Sequence, residues 1–137
     1  VTETSGTASE DDDYGQFPLR GYLEMDVGPG EAGRARATLQ VGAQHLNPNG
    51  VVHGAVLFAM VDTAMGSATM SMLPEGQHCA SVDVQLRFIR PASAGDLVAD
   101  VEVLKRGRAV VHLEGRVVDG DGRLVATASG TFAVITV

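Results

Sequence analysis

One aspartate interrupts a long uncharged stretch of the sequence, and its surroundings favour chemistry. Between residues 54 and 73, Asp62 is the only ionisable side chain, among alanine, valine, methionine, glycine, serine and threonine. Burying an unpaired carboxylate is costly, and desolvation raises its pKa toward the range of a general base. The alternative is that Asp62 faces solvent, pairs with a buried cation or serves a helix cap. The stretch alone therefore predicts a candidate base and leaves that alternative open.

The start of the same stretch offers a second chemical feature. Gly54 follows an irregular loop, residues 42–52, and opens a run with helical character. Free N–H groups at a helix N-terminus favour negative charge, and a glycine lets a ligand approach its N–H closely. Such an N–H could polarise a carbonyl and hold an oxyanion.

The spacing of these two residues has a consequence for assembly. Gly54 and Asp62 are eight residues apart, which is about 12 Å along one helix. From a single chain they cannot both contact one carbonyl carbon. If both act on one ligand, one of them belongs to a second copy, so the spacing predicts a dimer with composite sites.

The rest of the sequence predicts strands around this helix. Residues 21–27 and 34–41 alternate between apolar and polar side chains and form a predicted hairpin around a glycine-rich turn. The helix is predicted over residues 54–72, where Pro74 and Gly76 follow. Four more strands are predicted at 82–88, 97–104, 109–118 and 124–135. A single apolar helix needs a large cover, so we expect an α+β fold in which a curved antiparallel sheet wraps around one long central helix.

The length and the net charge of the chain limit its number of domains and the kinds of partner it can bind. The 137 residues suit one domain, predicted over 16–137 behind a disordered acidic tail at 1–15. The net charge of −7 without a basic patch argues against nucleic acid and anionic membrane partners. Asp62 and the small polar residues favour a core helix over a membrane span. A single cysteine, Cys79, fits a reducing compartment, so we expect a cytoplasmic protein.

Two motifs around the helix resemble a known family. The first runs from the loop into the helix and the second lies on the following strand. The matching residues are His45, Asn47, Gly50, His53, Gly54 and Asp62, then Ser81, Val82, Asp83, Phe88, Pro91 and Ala92. This pattern resembles the PaaI-type hotdog-fold acyl-CoA thioesterases over residues 22–135. One departure is Ala55, where the family usually has a second glycine.

The resemblance implies a reaction and a role for each residue. It implies hydrolysis of acyl- or aroyl-CoA thioesters by a homodimer, assembled into a homotetramer, without metal or cofactor. The Gly54 N–H would polarise the thioester carbonyl, and Asp62 of the partner chain would act as nucleophile or general base. Asn47 would position substrate or water, His53 would hydrogen-bond and orient Asn47, and Ser81 would hold the attacking water.

Substrate-binding residues are predicted from charge and from the helix. An acidic protein that binds coenzyme A needs local cations for the phosphates. The candidates are Arg90, Lys105, Arg106 and Arg108, for which ordinary surface charge is the alternative. Adaptable side chains of the helix, Phe58 and Met65 with Met60 and Met70, are expected to line an acyl site.

Other chemistries are weighed against this hypothesis. A hotdog enoyl-thioester hydratase or dehydratase pairs a histidine with the acid, and no histidine follows Asp62 in the helix. A non-catalytic acyl-CoA-binding protein would not need Asp62. A metal site at His45, His53 and Asp62, a serine triad and a Cys79 nucleophile lack the usual spacings or partners. His78 and His112 are predicted to be surface residues.

Overall fold

A computed structural model describes residues 16–136, so the predicted tail lies outside the described residues. The elements follow in the order α1 (Pro18–Leu23), β1 (Met25–Val27), β2 (Arg34–Gln40), a 3-10 turn (Ala43–His45), α2 (Gly54–Met70), β3 (Gln77–Phe88), β4 (Asp96–Arg106), β5 (Val110–Asp119) and β6 (Leu124–Thr136). This is the predicted single long helix among strands. The helix ends two residues earlier than predicted, because Ser71 caps it.

The six strands form one antiparallel sheet in the order β1-β2-β4-β5-β6-β3. The α2 helix packs across its inner face, mostly against β2, β4 and β3. Small and branched residues of both layers meet there, among them Ala37, Leu97, Ala99, Val111, Val117, Met60, Val61 and Ala64. Close packing of such side chains lets the sheet curve tightly around the helix, so the predicted α+β architecture is confirmed.

The first predicted strand is partly wrong. Residues 18–23 form α1, and only Met25–Val27 pairs with β2. Pro18 occupies the first turn of α1, where its missing N–H costs nothing. Glu24 then adopts a left-handed conformation that ends the helix before the strand begins. The apolar alternation at Leu23, Met25 and Val27 spans this boundary, which is why it resembles one strand.

One edge of the sheet carries exposed apolar side chains. Among the described strands, the edge strand β3 pairs with β6 alone, and it contains a bulge between Ser81 and Asp83. Val82 in this bulge is 64% exposed, and Phe88 at the end of the strand is 60% exposed. A long unpaired edge with apolar side chains is typical of a surface that another chain covers.

The length and apolar character of the helices test whether the central helix could span a membrane. Among the helices of residues 16–136, none is long and apolar enough to cross a membrane.

Candidate active site

Asp62 lies on the face of α2 beside strand β3. Its side chain is half-buried, and Oδ1 is shielded from solvent without a hydrogen-bond partner among the described residues. Burial raises the pKa of Asp62 above its ordinary value, while a hydrogen bond from Ser81 opposes that rise. Buried polar atoms are rarely left unpartnered, and a perturbed carboxyl of this kind is a candidate for function.

The raised pKa predicts a stability effect that is separate from activity. The folded chain holds the Asp62 proton more tightly than the unfolded chain, so stability falls as pH rises from the ordinary value of 3.8 through the folded pKa. We expect Asp62→Asn to melt at a higher temperature than wild type at neutral pH, with a smaller difference at acidic pH. Thermal unfolding across pH measures this. Asp83→Asn, which removes an exposed carboxylate from the same sheet edge, should shift melting little at any pH, and an identical pH trend in both variants would contradict the assignment.

Ser81 reaches Asp62 because the edge strand bulges at this point. The ladder between β3 and β6 pairs Ser81 with Phe132 and then Asp83 with Thr131, so the extra residue is Val82. A bulge re-aims neighbouring side chains and is frequent beside functional sites. Asp62 of the first motif and Ser81 of the second motif, 19 residues apart in the sequence, therefore meet at one place in the fold.

Cys79 lies next to the same carboxyl but in the wrong ionisation state for a nucleophile. Burial and the nearby charge of Asp62 raise the pKa of the Cys79 thiol to about 11. Its Sγ lies 3.8 Å from the Gly66 carbonyl oxygen. Since the thiolate is the reactive form, this environment disfavours the Cys79 alternative.

The loop before α2 is held by its own asparagine. The Asn47 Oδ1 accepts hydrogen bonds from the N–H groups of Asn49 at 2.9 Å and Val51 at 3.2 Å. Gly50 adopts a φ of +80° in this turn, a conformation that glycine reaches without strain. The carboxamide oxygen therefore stabilises the loop, and only the amide NH₂ of Asn47 is left to reach a ligand or water.

His53 caps the helix instead of contacting Asn47. Its Nδ1 accepts the Ala55 N–H at 2.9 Å. No hydrogen bond joins His53 to Asn47 within residues 16–136, so the role of His53 in orienting Asn47 stays a prediction. The physical reason for this geometry is the position of His53 as the N-cap, where a side-chain acceptor satisfies a free helix N–H.

Gly54 presents a free N–H at the start of α2. It is the first residue of the helix, and its N–H donates to no acceptor in the part of the chain that the structure describes. A Cβ at this position would lie 2.9 Å from Cζ of the exposed Phe88 ring. The glycine therefore lets the Phe88 ring pack against the helix start, and the free N–H of Gly54 could polarise an incoming carbonyl.

One chain does not bring Gly54 and Asp62 together. Both lie on the same straight helix, eight residues and about 12 Å apart. Within one chain the structure joins Asp62 with Ser81 at one level of the helix. Gly54 lies at the helix start with the cap residue His53, away from Asp62, as the spacing predicts.

His45, a motif residue, is a core residue. It is fully buried, its Nδ1 accepts the Gly42 N–H at 2.9 Å, and its Nε2 donates to the Leu23 carbonyl at 2.6 Å. Both ring nitrogens are occupied, which removes His45 from the metal alternative. No cluster of three metal-ligating side chains occurs among residues 16–136.

This arrangement predicts a stability loss on removing the imidazole. His45→Ala leaves the Gly42 N–H and the Leu23 carbonyl unsatisfied and opens a cavity, so the free energy of unfolding should fall by about 2 kcal/mol or more. Urea denaturation measures this. His112→Ala, at an exposed position of β5, should change it by less than about 0.5 kcal/mol, and equal losses in both variants would contradict a core role for His45.

The predicted substrate-binding residues separate into different places. Phe58 is 40% exposed on the same side of the helix as Asp62, but Met65 is fully buried against Gly130 of the sheet. Met65 is therefore a core residue in the single chain, and its contact with a ligand stays a prediction. The sequence does not show which side chains of this helix face the sheet, because nearly every residue of the helix is apolar.

The predicted cations lie at opposite ends of β3. Arg90 follows the end of β3, where the Ile89 and Arg90 N–H groups bond to Val125. Lys105, Arg106 and Arg108 lie at the β4–β5 turn, and Arg106 contacts Gln77 at the start of β3 at 3.3 Å. The 12-residue strand between these ends spans about 36 Å at 3.3 Å per residue. In one chain, they cannot hold the same phosphate.

One long helix covered by a curved six-stranded antiparallel sheet is the hotdog fold, the fold class of this chain. The thioesterase superfamily matches residues 49–126, more than half of the chain. The chain belongs to the thioesterase superfamily.

Individual relatives agree with this family. The acyl-coenzyme A thioesterase PaaI of Escherichia coli is 31% identical over 109 residues, which cover 79% of this chain and 76% of PaaI. The proofreading thioesterase EntH of Klebsiella pneumoniae is 30% identical over 105 residues, 77% of each chain. A solved structure of a conserved protein from Pseudomonas aeruginosa is 28% identical with a TM-score of 0.85 and covers 90% of this chain and 98% of its own. The predicted PaaI-type resemblance is confirmed at the level of the family.

Proposed function

We propose that this protein hydrolyses acyl-coenzyme A thioesters to a carboxylate and free coenzyme A. The main observation in support is the half-buried Asp62 carboxyl, which lies beside Ser81 and has one solvent-shielded oxygen without a hydrogen-bond partner among the described residues. The name of the E. coli relative, an acyl-coenzyme A thioesterase, supports the choice of substrate. An unpartnered carboxyl oxygen is free to accept a proton from water or to attack a carbonyl carbon.

The reaction needs a base or nucleophile and an oxyanion donor. In the base route, Asp62 takes a proton from a water held by Ser81, and the hydroxide adds to the thioester carbonyl carbon. The oxygen gains negative charge, which the Gly54 N–H stabilises. The tetrahedral species then expels the thiolate, which takes up a proton. In the nucleophile route, Asp62 attacks the carbon, expels the thiolate and is released from the acyl group by water.

The two groups come from two copies of the chain. Gly54 lies at the level of Phe88, and Asp62 at the level of Ser81, along the same edge strand. Antiparallel pairing of two β3 edges, centred near Val84 and Gln85, would place Gly54 of one copy opposite Asp62 of the other. The exposed apolar side chains of this edge support such a dimer.

The same pairing would assemble a phosphate site. Arg90 of one copy would approach the start of β3 in the second copy, where Lys105, Arg106 and Arg108 lie. Cations that a single chain holds far apart would then share one anionic ligand. A local positive cluster of this kind suits the phosphates of coenzyme A on a chain with a net charge of −7.

Thiol release from a panel of acetyl-, octanoyl-, benzoyl- and phenylacetyl-CoA tests the proposal. We expect turnover of at least one ester by the wild-type chain, and a dimer or a tetramer built from two dimers by light scattering. Absence of thiol release from every ester would contradict the hydrolase proposal and favour a non-catalytic acyl-CoA-binding protein.

A further inference from the structure

Strand β3 presents two successive polar side chains to α2. Cys79 and Ser81 alternate along the strand, and Ser81 pairs with the core residue Phe132, so both side chains point to the inner face of the sheet. On α2, Asp62 and Gly66 are four residues apart and share one face of the helix. Ser81 donates a hydrogen bond to the Asp62 carboxyl, and Cys79 Sγ lies 3.8 Å from the Gly66 carbonyl oxygen. The strand and the helix therefore meet in two adjacent contacts, which place Cys79 beside Asp62.

The Cys79 thiol makes only a weak contact of its own. A separation of 3.8 Å is long even for sulfur, and a thiol is a weak hydrogen-bond donor. The Gly66 carbonyl already accepts the N–H four residues further along α2. Because burial and the nearby charge of Asp62 raise the pKa of Cys79 to about 11, the thiol keeps its proton at neutral pH. Cys79 is thus an uncharged and weakly polar neighbour of the carboxyl.

The other described surroundings offer Asp62 no charged partner. Asp62 is the only ionisable residue of α2. The side chains that pack against the helix from β1, β2, β4, β5 and β6 belong to alanine, valine, leucine, methionine and phenylalanine. Charged side chains at the ends of these strands have other partners: Arg106 contacts Gln77, and Arg123 donates to Asp119 at 3.0 Å. Within residues 16–136, the environment of the carboxyl is therefore set by burial and by the two β3 side chains.

The side chain at position 79 controls how well the carboxylate is stabilised. Asp62 Oδ1 is shielded from solvent and has no hydrogen-bond partner among the described residues. A strong donor next to it would stabilise the charged form and lower the proton affinity of the carboxyl. A hydroxyl at position 79 would be such a donor. A thiol fills nearly the same space but acts as a small apolar group, so it covers the carboxyl without stabilising its charge.

We propose that Cys79 is a positioning residue for Asp62: its thiol covers one side of the carboxyl and leaves Oδ1 without a strong donor, so that Asp62 stays able to take a proton or to attack carbon. This inference rests on the proposed thioester hydrolysis. In this role Cys79 forms no bond with the acyl group and transfers no proton. It accounts for the single cysteine of the chain lying beside the carboxyl in its unreactive, protonated form.

The pH profile of kcat in Cys79→Ser tests this role. Serine supplies a hydroxyl donor, so the acidic limb of the profile should move to lower pH by about half a unit or more. Because a weaker base is a poorer catalyst, kcat on the plateau should fall by about threefold or more. In the proposed dimer, His53 and Arg90 of the second copy would also come near Asp62. Neither is changed, so a moved limb reports Asp62.

Two further variants serve as controls for Cys79→Ser. Cys79→Val fills the site without any donor, so its acidic limb should not move to lower pH. Ala80→Ser places the same hydroxyl on the adjacent, exposed position of β3 and should leave the profile unchanged. An unmoved limb in Cys79→Ser, or the same shift in Cys79→Val, would overturn the role of Cys79 while leaving hydrolysis intact.

Two titrations that need no turnover separate this role from the reaction. Carbon NMR of the Asp62 carboxyl should show a lower pKa in Cys79→Ser than in wild type. The ultraviolet absorbance of the Cys79 thiolate, with Cys79→Val as background, should appear at lower pH in Asp62→Asn than in wild type, where its midpoint is about 11. Equal thiolate midpoints would overturn the inference. A lower Asp62 pKa in Cys79→Ser, without turnover of any ester by wild type, would support the Cys79 contact and contradict the proposed hydrolysis.

Discussion

Asp62→Asn is expected to lower kcat for thioester hydrolysis by at least about 100-fold, the usual contribution of a general base or nucleophile. The amide is nearly isosteric and can still accept a hydrogen bond from Ser81, so the fold should survive. What is lost is the ability to take a proton or to attack carbon. The raised pKa of Asp62 also predicts that wild-type activity falls toward acidic pH as the carboxylate is protonated. Thiol release measured across pH in both proteins checks both expectations.

A matched variant separates catalysis from general effects on the edge strand. Asp83→Asn removes an exposed carboxylate two residues beyond Ser81 on the same strand. It should retain wild-type kcat and the wild-type pH profile. Wild-type turnover in Asp62→Asn would show that the thioesterase fold carries its base elsewhere.

Gly54→Pro is expected to lower kcat by about 100- to 1000-fold relative to Gly54→Ala, as observed when one oxyanion donor is removed. Proline at the first helical position deletes only an N–H that the helix does not use. The preceding residue, His53, has φ −62° and ψ 135°, a conformation that a following proline favours. Both variants place a Cβ against the exposed ring of Phe88. Their difference therefore reports the N–H alone.

Steady-state kinetics with circular dichroism as a folding check measures this effect. Equal kcat values for Gly54→Pro and Gly54→Ala would remove the N–H from the mechanism and leave only a steric role for the glycine.

Mixing the two inactive variants tests whether the site is composite. A mixed dimer of Asp62→Asn and Gly54→Pro chains contains one site with both wild-type groups and one site with neither. Co-refolding the two variants should restore activity that neither shows alone. No recovery from a verified mixed dimer would contradict the two-copy site.

Much of the fold was predictable because its elements are locally consistent. Alternating burial along β2, β4 and β5 follows from alternating apolar residues in the sequence. The start of α2 at Gly54 was predictable because an irregular loop, residues 42–52, precedes the apolar stretch. Asp62 was identifiable because it is the only charge in an apolar helix, and such a residue needs a reason to be buried.

Other features depend on residues far apart in the chain. The role of His45 depends on the Leu23 carbonyl, 22 residues earlier. The serine contacts that hold the β1–β2 loop against α2 join residues 38 and 39 positions apart. A local pattern cannot contain such contacts, because side-chain direction and chain approach are set only when the sheet closes around the helix.

The sequence by itself indicated most of the elements and the candidate carboxyl at the centre of α2, because periodicity and a lone carboxylate are local properties. The tertiary structure decided which side of the helix remains accessible. It buried Met65, left Phe58 exposed, brought Ser81 beside Asp62 and kept the cations at opposite ends of one strand. These outcomes depend on how a nearly uniform apolar helix rotates against the sheet, and packing of the whole core fixes that rotation.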